Sequence, residues 1–234
     1  MKNGLHTIEY YPNGNIKIEG YFVNDILHGE HKEYHENGML FQLYNYEEGR
    51  KEGVYTNYYD TGELEMKGFY SNNQLEGPHT MYYPNGQIEC QGFYKNDQPH
   101  GKCTEYFQNG NIQIVINQIE GRLHGQQLAY YKNGVLAREQ YFENGVLHGP
   151  IKLFNPKGIL IMEMTVQNGK NRGPFKKYYD NGSLMFSCTQ VNDFYRKDIK
   201  VFKKNKQIDK AISTKLSYMF GSEPISLIPY MDYD

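Results

Sequence analysis

Residues 77–100 read GPHTMYYPNGQIECQGFYKNDQPH, and this stretch decides the fold because its pattern recurs along the chain. The glycine of its Asn85-Gly86 pair belongs to a series with a constant 24-residue spacing. The series comprises Gly14, Gly38, Gly62, Gly86, Gly110, Gly134, Gly158 and Gly182. A second series, from Gly29 to Gly173, keeps the same spacing. A fixed period without insertions indicates a repeat array, in which each unit is stabilised by its neighbours.

Each unit is predicted to be a β-hairpin. An extended run ends at Tyr83, a Pro-Asn-Gly turn follows, and a second extended run leads to Tyr94 and a polar loop. Asn-Gly between two such runs is the strongest short-range signal for a hairpin. The turn is either a two-residue loop or a three-residue loop with a glycine bulge. Pro12 and Pro84 favour the second, because proline fits the first central position of a type I turn.

The three-residue loop places Tyr82 opposite Ile88, with both side chains on one face of the hairpin. We call the two repeat positions the aromatic column and the aliphatic column. The aromatic column contains Tyr10, Tyr34, Tyr58, Tyr82, Tyr106, Tyr130, Phe154, Tyr178 and Phe202. The aliphatic column contains Ile16, Leu40, Leu64, Ile88, Ile112, Leu136, Leu160, Leu184 and Ile208. Such cross-strand pairs contribute about 0.2–1 kcal/mol each, so we expect this face to be the structural one.

The next position of the repeat, which we call the turn column, is predicted to lie on the other face. It is less uniform, because His35, Asn155 and Lys203 interrupt its aromatic residues. Two interpretations stay open: the rings pack against the adjacent hairpin, or they contact a partner. The candidate partner-binding residues are Tyr11, Tyr59, Tyr83, Phe107, Tyr131 and Tyr179.

Charge is distributed unevenly along the chain, although the net charge is only −2. Residues 1–100 carry 15 acidic and 7 basic side chains, whereas residues 101–234 carry 12 acidic and 18 basic ones. The basic excess is densest near the C-terminus, where it is either a solvated end of the array or a contact for an anionic surface. The candidate lipid-binding residues of this segment are Lys200, Lys203, Lys204 and Lys206.

The repeat pattern predicts two regions. Residues 1–196 form an array of eight repeats, and residues 197–234 form a degenerate ninth half-repeat, a helical cap and a tail. Ile208, Ile212 and Leu216 are spaced for one face of a helix over about residues 207–220. The predicted fold is therefore all-β: an elongated array of antiparallel β-hairpins forming one twisted single-layer sheet, a solenoid with a short C-terminal helical cap.

Residues that could carry chemistry occupy structural positions. One column of the repeat contains four histidines: His28, His100, His124 and His148. Members in successive repeats are expected about 10 Å apart, which is too far for them to bind one zinc ion together. We expect them to cap turns. The sequence shows no phosphate-binding loop and no nucleophile paired with a base. We therefore expect no enzyme, no metal, no cofactor and no nucleic-acid partner.

The cysteines and the N-terminal segment indicate the cellular compartment of the protein. Cys90, Cys103 and Cys188 are odd in number and occupy three different columns, so no disulfide framework is predicted. The first residues contain no apolar stretch of the kind found in secretory signals. These features predict a cytoplasmic protein.

Residues 5–196 resemble the MORN-repeat variant. The segment Tyr82-Tyr83-Pro-Asn-Gly-Gln-Ile, followed by Gly92-Phe-Tyr-Lys-Asn-Asp-Gln-Pro-His-Gly101, is similar to its unit. Single repeats depart from that unit at Gln118, Asn155, Lys157 and Gln190. Bacterial proteins built almost entirely of this repeat resemble antitoxin or immunity components that bind a cognate toxin. The resemblance implies a protein-binding role of that kind, with phosphoinositide-dependent membrane attachment or a scaffold or effector role as alternatives.

Overall fold

The computed structural model describes residues 1–192, 196–205 and 207–210. The candidate lipid-binding residue Lys206 lies outside the described residues. The predicted C-terminal helix also lies outside them, except for residues 207–210, and so does the tail that follows it.

The described chain contains antiparallel β-strands that fall into two units, and the predicted all-β class of antiparallel hairpins is confirmed. One unit comprises Met1–Gly110 and Gln118–Gly121; the other comprises Asn111–Asn117 and the described residues from Arg122 onward. The strands of the first unit are β1 (Gly4–Tyr10), β2 (Ile16–Val23), β3 (Ile26–Tyr34), β4 (Leu40–Glu47), β5 (Arg50–Lys51), β6 (Gly53–Tyr58), β7 (Leu64–Ser71), β8 (Gln74–Leu75), β9 (Gly77–Tyr82), β10 (Ile88–Lys95), β11 (Gln98–Pro99) and β12 (Gly101–Tyr106).

Strand β13 (Ile112–Ile119) is divided between the two units. The remaining strands belong to the second unit: β14 (Arg122–Leu123), β15 (Gly125–Tyr130), β16 (Leu136–Glu143), β17 (Val146–Leu147), β18 (Gly149–Phe154), β19 (Leu160–Gln167), β20 (Lys170–Tyr178), β21 (Leu184–Gln190) and β22 (Arg196–Val201).

The turn within each hairpin is the three-residue loop with a glycine bulge. In the hairpin of β9 and β10, the backbone N–H of Tyr83 donates to Gln87 O at 2.8 Å, and the N–H of Gly86 donates to Tyr83 O at 2.8 Å. Gly86 has a φ of 81°, the left-handed conformation that glycine adopts without a steric cost. Tyr82 lies opposite Ile88, so the predicted register is confirmed.

A second, two-residue turn connects each long strand to the short strand that follows it. Between β7 and β8 this turn is Asn72-Asn73, whose φ angles of 52° and 69° are both positive, as in a type I′ turn. Tyr70 then lies opposite Leu75. The sequence predicts only a polar loop here, but the loop turns the chain back onto the strand it has just left.

Hydrogen bonds at both edges tie one repeat to the next. On one edge, Asn37 Nδ2 donates to Asp60 O at 2.8 Å, while Asn37 Oδ1 accepts from the N–H of Met39 at 2.9 Å. On the other edge, the N–H of Leu75 donates to Asp97 Oδ1 at 2.7 Å, and the N–H of Asp97 donates to Leu75 O at 3.1 Å. These bonds satisfy turn backbone groups that a lone hairpin leaves to water.

The most buried side chains lie on the face opposite the aromatic and aliphatic columns. Tyr55 is 5 % exposed and Val166 is 2 % exposed. In the aromatic column, Tyr10 is 59 % exposed and the other members are only partly buried. The expectation that the aromatic and aliphatic columns mark the structural face is therefore wrong. Those columns lie at the strand ends beside the turn, whereas Tyr55 and Val166 lie farther from that turn, with a paired strand on each side. We call the face that carries Tyr55 in one unit and Val166 in the other the core face.

Candidate functional site

The turn column, in which the candidate partner-binding residues lie, ties successive hairpins together. Its five tyrosine hydroxyls each donate to the backbone carbonyl oxygen 23 residues ahead, at 2.6–2.9 Å. The bonds join Tyr11 to Tyr34, Tyr59 to Tyr82, Tyr83 to Tyr106, Tyr131 to Phe154, and Tyr179 to Phe202. Phe107, the sixth candidate, is 7 % exposed. This geometry matches the packing interpretation, and partner contact by these residues stays a prediction.

A cluster of rings on the core face of the first unit was not predicted from the sequence. We call it the tyrosine patch. It consists of Tyr44 and Tyr46 on β4, Lys51 on β5, Tyr55 on β6, Tyr70 on β7, Tyr94 on β10, His31 on β3 and His79 on β9. Ring centroids lie 4.9 Å apart for Tyr55 and Tyr70, and 5.1 Å apart for His79 and Tyr94. These separations are typical of aromatic pairs that hold one another in place.

A glycine makes room for the ring at the centre of the patch. Tyr55 lies directly opposite Gly68 in the pairing of β6 with β7. A Cβ atom at Gly68 would lie 2.5 Å from the Tyr55 ring, closer than packed atoms allow. The ring therefore extends over Gly68, where it contacts Tyr70 on β7 and His79 on β9. On the other side of β6, it stacks against Tyr44 of β4.

Lys51 lies among these rings. Its Nζ is 3.6 Å from the ring centroid of Tyr44 and 5.1 Å from that of Tyr70, so the ammonium faces two π systems. Burial lowers the pKa of Lys51, and the nearby carboxylate of Glu33 partly opposes this effect. Within the described part of the chain, no carboxylate forms an ion pair with this ammonium.

The other titratable groups of the patch are uncharged at neutral pH. Burial raises the pKa of Tyr44 to about 12 and raises the pKa values of Tyr55 and Tyr70 as well. Burial also lowers the pKa values of His31 and His79 below 6.5. The patch thus presents neutral rings and hydroxyls around one cation, an arrangement that can bind a partner through apolar area and hydrogen bonds.

The second unit has no counterpart of this patch among its described residues. The positions equivalent to Tyr55 and Tyr70 are Ile151 and Val166, and these pack with Leu153 and Met162 into an aliphatic cluster. The core faces of the two units therefore differ in chemistry, although their hairpins share one pattern.

One signal in the sequence could have revealed the patch. The position eight residues after each turn glycine reads Phe22, Tyr46, Tyr70, Tyr94, Gln118, Phe142, Val166 and Gln190. This column is aromatic only in part of the chain, so it does not stand out as a structural constant. Three of its aromatic members, Tyr46, Tyr70 and Tyr94, belong to the patch.

The basic segment is exposed where the structure describes it. Lys200, at the end of β22, and Lys203 and Lys204, which follow it, all face solvent. Lys204 Nζ lies 5.8 Å from the ring centroid of Tyr179. Three of the four predicted lipid-binding residues are thus available at the surface of the second unit.

Of the four histidines expected to cap turns, His148 does so, because its Nδ1 accepts from the N–H of Asn168 at 3.5 Å. Glu52, which occupies the same column in its own repeat, accepts the backbone N–H of Asn72 at 2.7 Å. His124 does not fit the expectation, because its Nδ1 is buried without a hydrogen-bond partner among the described residues. Over residues 1–192, 196–205 and 207–210, no three metal-ligating side chains come together. In the same residues, the structure has no helix with the length and apolar character needed to cross a membrane.

Two models of known repeat families match segments of this sequence. The MORN repeat variant matches residues 6–24, 27–48, 51–72, 75–96, 123–145 and 172–192, and the MORN repeat matches residues 90–112. No curated protein matches the chain. MORN repeats are generally protein-binding or lipid-binding repeats. Because the segments that match the variant coincide with hairpins and cover more than half of the sequence, the chain belongs to the MORN repeat variant family.

Proposed function

We propose that this MORN-repeat protein is a non-enzymatic protein-binding protein. More concretely, it acts in the cytoplasm as an antitoxin or immunity protein that binds and neutralises a toxin or effector. The observation that supports the binding role is the tyrosine patch, where stacked rings and Lys51 lie together on one face of the first unit.

The side chains of the patch are of the kind that contribute most to protein interfaces. Tyrosine provides a large contact area while losing only two side-chain torsions, and stacking has already restricted those torsions. Aromatic residues in the centre of an interface often account for 2 kcal/mol or more of the binding energy each. The partner would cover Tyr44, Tyr46, Tyr70 and Tyr94 with apolar groups and would offer a carboxylate to Lys51.

The charge of the surrounding chain favours a partner that is basic overall. Residues 1–100 carry 15 acidic and 7 basic side chains, so the first unit has a negative field. Such a field accelerates the approach of a positively charged protein and weakens with added salt. Lys51 would then form a local ion pair with an acidic group of the partner that fits between the rings.

The patch offers little for catalysis. The raised pKa values of Tyr44 and Tyr55 make their hydroxyls poor nucleophiles and poor bases at neutral pH. His31 contacts the Tyr46 ring, and His79 contacts the rings of Tyr55 and Tyr94. These contacts support a binding surface rather than an active site.

The test is capture of the partner with variants altered on opposite faces of the same strands. Tyr70→Ser with Tyr94→Ser removes two rings from the patch, whereas Phe69→Ser with Phe93→Ser removes two rings from the other face of β7 and β10. We expect a protein captured from a lysate of the source organism to be lost only with the tyrosine variant. Equal capture by both variants would contradict the proposal.

Folding must be separated from binding in this comparison. Circular dichroism melts of both double variants show whether each is folded at the assay temperature. Lys51→Glu serves as a second patch variant, because it keeps every ring and reverses only the charge that faces the partner. Capture that survives this change in a folded protein would exclude a carboxylate anchor at Lys51.

Neutralisation is tested with the captured protein itself. A toxin partner should arrest growth when produced alone in a bacterial host, and co-production of the wild-type chain should restore growth. The tyrosine double variant should fail to restore it. A captured partner that does not affect growth would support a scaffold role and contradict the antitoxin role.

Attachment to an anionic lipid surface through the basic segment is the second candidate. It is favoured by the exposure of Lys200, Lys203 and Lys204. Each lysine near an anionic membrane contributes about 1 kcal/mol. Charge reversal at these three residues and Lys206 should therefore abolish binding to vesicles that contain a phosphoinositide. Vesicle binding unchanged by the reversal, or absent in the wild type, would exclude this function.

A further inference from the structure

Two cysteines from successive repeats lie in contact on the first unit. Cys90 is on β10 and Cys103 is on β12, and their Sγ atoms are 3.4 Å apart. In the pairing of these strands, Cys90 lies opposite Glu105 and Gln91 lies opposite Thr104. Cys103 is two residues before Glu105 on the same face of β12, so the two cysteines are diagonal neighbours. Both side chains are only partly buried. They occupy different repeat positions, which explains why the repeat pattern does not reveal them as a pair.

The local backbone allows the two sulfur atoms to approach. Gly92 lies beside Cys103 on the neighbouring strand, and a Cβ atom at Gly92 would be 3.5 Å from both Cβ and Sγ of Cys103. That distance is an ordinary van der Waals contact, so position 92 does not crowd the Cys103 side chain. The pairing of β9 with β10 also has a bulge between Ile88 and Cys90, and a bulge increases the local strand twist. The diagonal separation is therefore spanned by the side chains.

We propose that Cys90 and Cys103 form a reversible disulfide when the protein meets a peroxide or a disulfide oxidant. The pair is then a redox modification site that links two successive repeats covalently. With hydrogen peroxide, the thiolate of one cysteine of the pair attacks one oxygen, the O–O bond breaks, and hydroxide leaves. The thiol of the other cysteine next attacks the sulfur of the resulting sulfenic acid and expels its oxygen as water. The two thiols lose two electrons and two protons, and the peroxide becomes two water molecules.

Either sulfur atom can donate the hydrogen bond that joins them. With Cys90 as the donor, the pKa of Cys103 falls, the pKa of Cys90 rises, and Cys103 is the attacking thiol. With Cys103 as the donor the order is reversed, and the disulfide formed is the same. Closure requires the Sγ atoms to move from 3.4 Å to about 2.05 Å apart.

The third cysteine is a matched internal control. Cys188 is 5 % exposed and lies on β21 in the second unit, and burial raises its pKa to about 11. A buried thiol with a raised pKa reacts slowly with oxidants, because the thiolate is the reactive form. The proposed site does not depend on the identity of any partner protein.

The experiment treats the purified full chain with a small excess of hydrogen peroxide and then counts thiols in denaturant. The count should fall from three to one and return to three after dithiothreitol. Peptide mapping should show a Cys90–Cys103 cross-link with a mass loss of about 2 Da, the two hydrogens released on disulfide formation. The Cys188→Ser variant should lose both of its thiols, whereas Cys90→Ser and Cys103→Ser should give no intramolecular cross-link.

Several results would overturn the proposal. These are a thiol count that stays at three, a cross-link that involves Cys188, a disulfide between two molecules, and oxidation of Cys90 or Cys103 that ends at sulfinic acid. Mapping of the wild-type protein decides the matter even if a serine variant does not fold, because it needs no substitution.

Discussion

Replacing Tyr83 with phenylalanine removes one hydrogen bond between successive repeats and leaves the aromatic ring in place. The Tyr83 hydroxyl donates to Tyr106 O at 2.7 Å, and the side chain is partly buried. Loss of such a bond costs about 1 kcal/mol, within a range of roughly 0.5–1.5 kcal/mol. Tyr59 makes the equivalent bond to Tyr82 O at 2.6 Å in the preceding repeat.

The two changes should be additive. Equivalent residues of successive repeats are two strand spacings apart, about 10 Å, and changes at that distance add within a few tenths of a kcal/mol. The double variant Tyr59→Phe with Tyr83→Phe should therefore lose about 2 kcal/mol of unfolding free energy. With a urea slope of about 2–3 kcal/mol per molar, each single change lowers the unfolding midpoint by roughly 0.4 M.

Urea unfolding followed by circular dichroism measures this shift. Tyr10→Phe is the control, because Tyr10 is 59 % exposed. The control should stay within about 0.5 kcal/mol of the wild type. If Tyr83→Phe is no more destabilising than Tyr10→Phe, the turn-column hydroxyls do not tie the repeats, and the packing interpretation of that column loses its support.

Two further predictions concern stability. Burial holds the pKa values of His31 and His79 below 6.5, so the unfolded chain takes up protons first as the pH falls. Their contribution to stability is fully present above pH 6.5 and is lost as the pH falls from 6.5 through the lowered pKa values of the folded protein, so the melting temperature should drop on acidification. His79→Gln should flatten that profile in thermal melts, and an unchanged profile would contradict the assignment. Gly86→Ala should cost about 1 kcal/mol through its positive φ alone, since no atom lies within 4 Å of the added Cβ. Gly68→Ala should cost more, about 1–3 kcal/mol, because the Tyr55 ring must move, and denaturant titrations that rank these variants in reverse would refute the packing at Tyr55.

The turn type and the strand register could be predicted from the sequence, because both depend on residues that are close together along the chain. Pro84 and Gly86 together specify one loop, and that loop specifies the pairing of Tyr82 with Ile88. A period of 24 residues then repeats the same result along the chain. The all-β hairpin architecture needed no long-range information.

The identity of the buried face and the tyrosine patch could not be predicted from such local signals. Tyr82 and Tyr83 are adjacent aromatics on opposite faces, so alternation alone does not say which face is buried. Burial depends on the strands that flank a residue, and Tyr55 is covered by rings from three other strands. The Cys90–Cys103 contact likewise joins different repeat positions across neighbouring strands.

The affinity of the purified partner for three forms of the chain tests the proposed binding surface most directly. The forms are the wild type, Tyr70→Ser with Tyr94→Ser, and Phe69→Ser with Phe93→Ser, with dissociation constants measured by calorimetry. Loss of two central aromatic contacts should weaken binding at least roughly 30-fold for the tyrosine variant, while the phenylalanine variant should bind like the wild type. Wild-type affinity in a folded tyrosine variant, or a larger loss in the phenylalanine variant, would contradict the tyrosine patch as the binding surface.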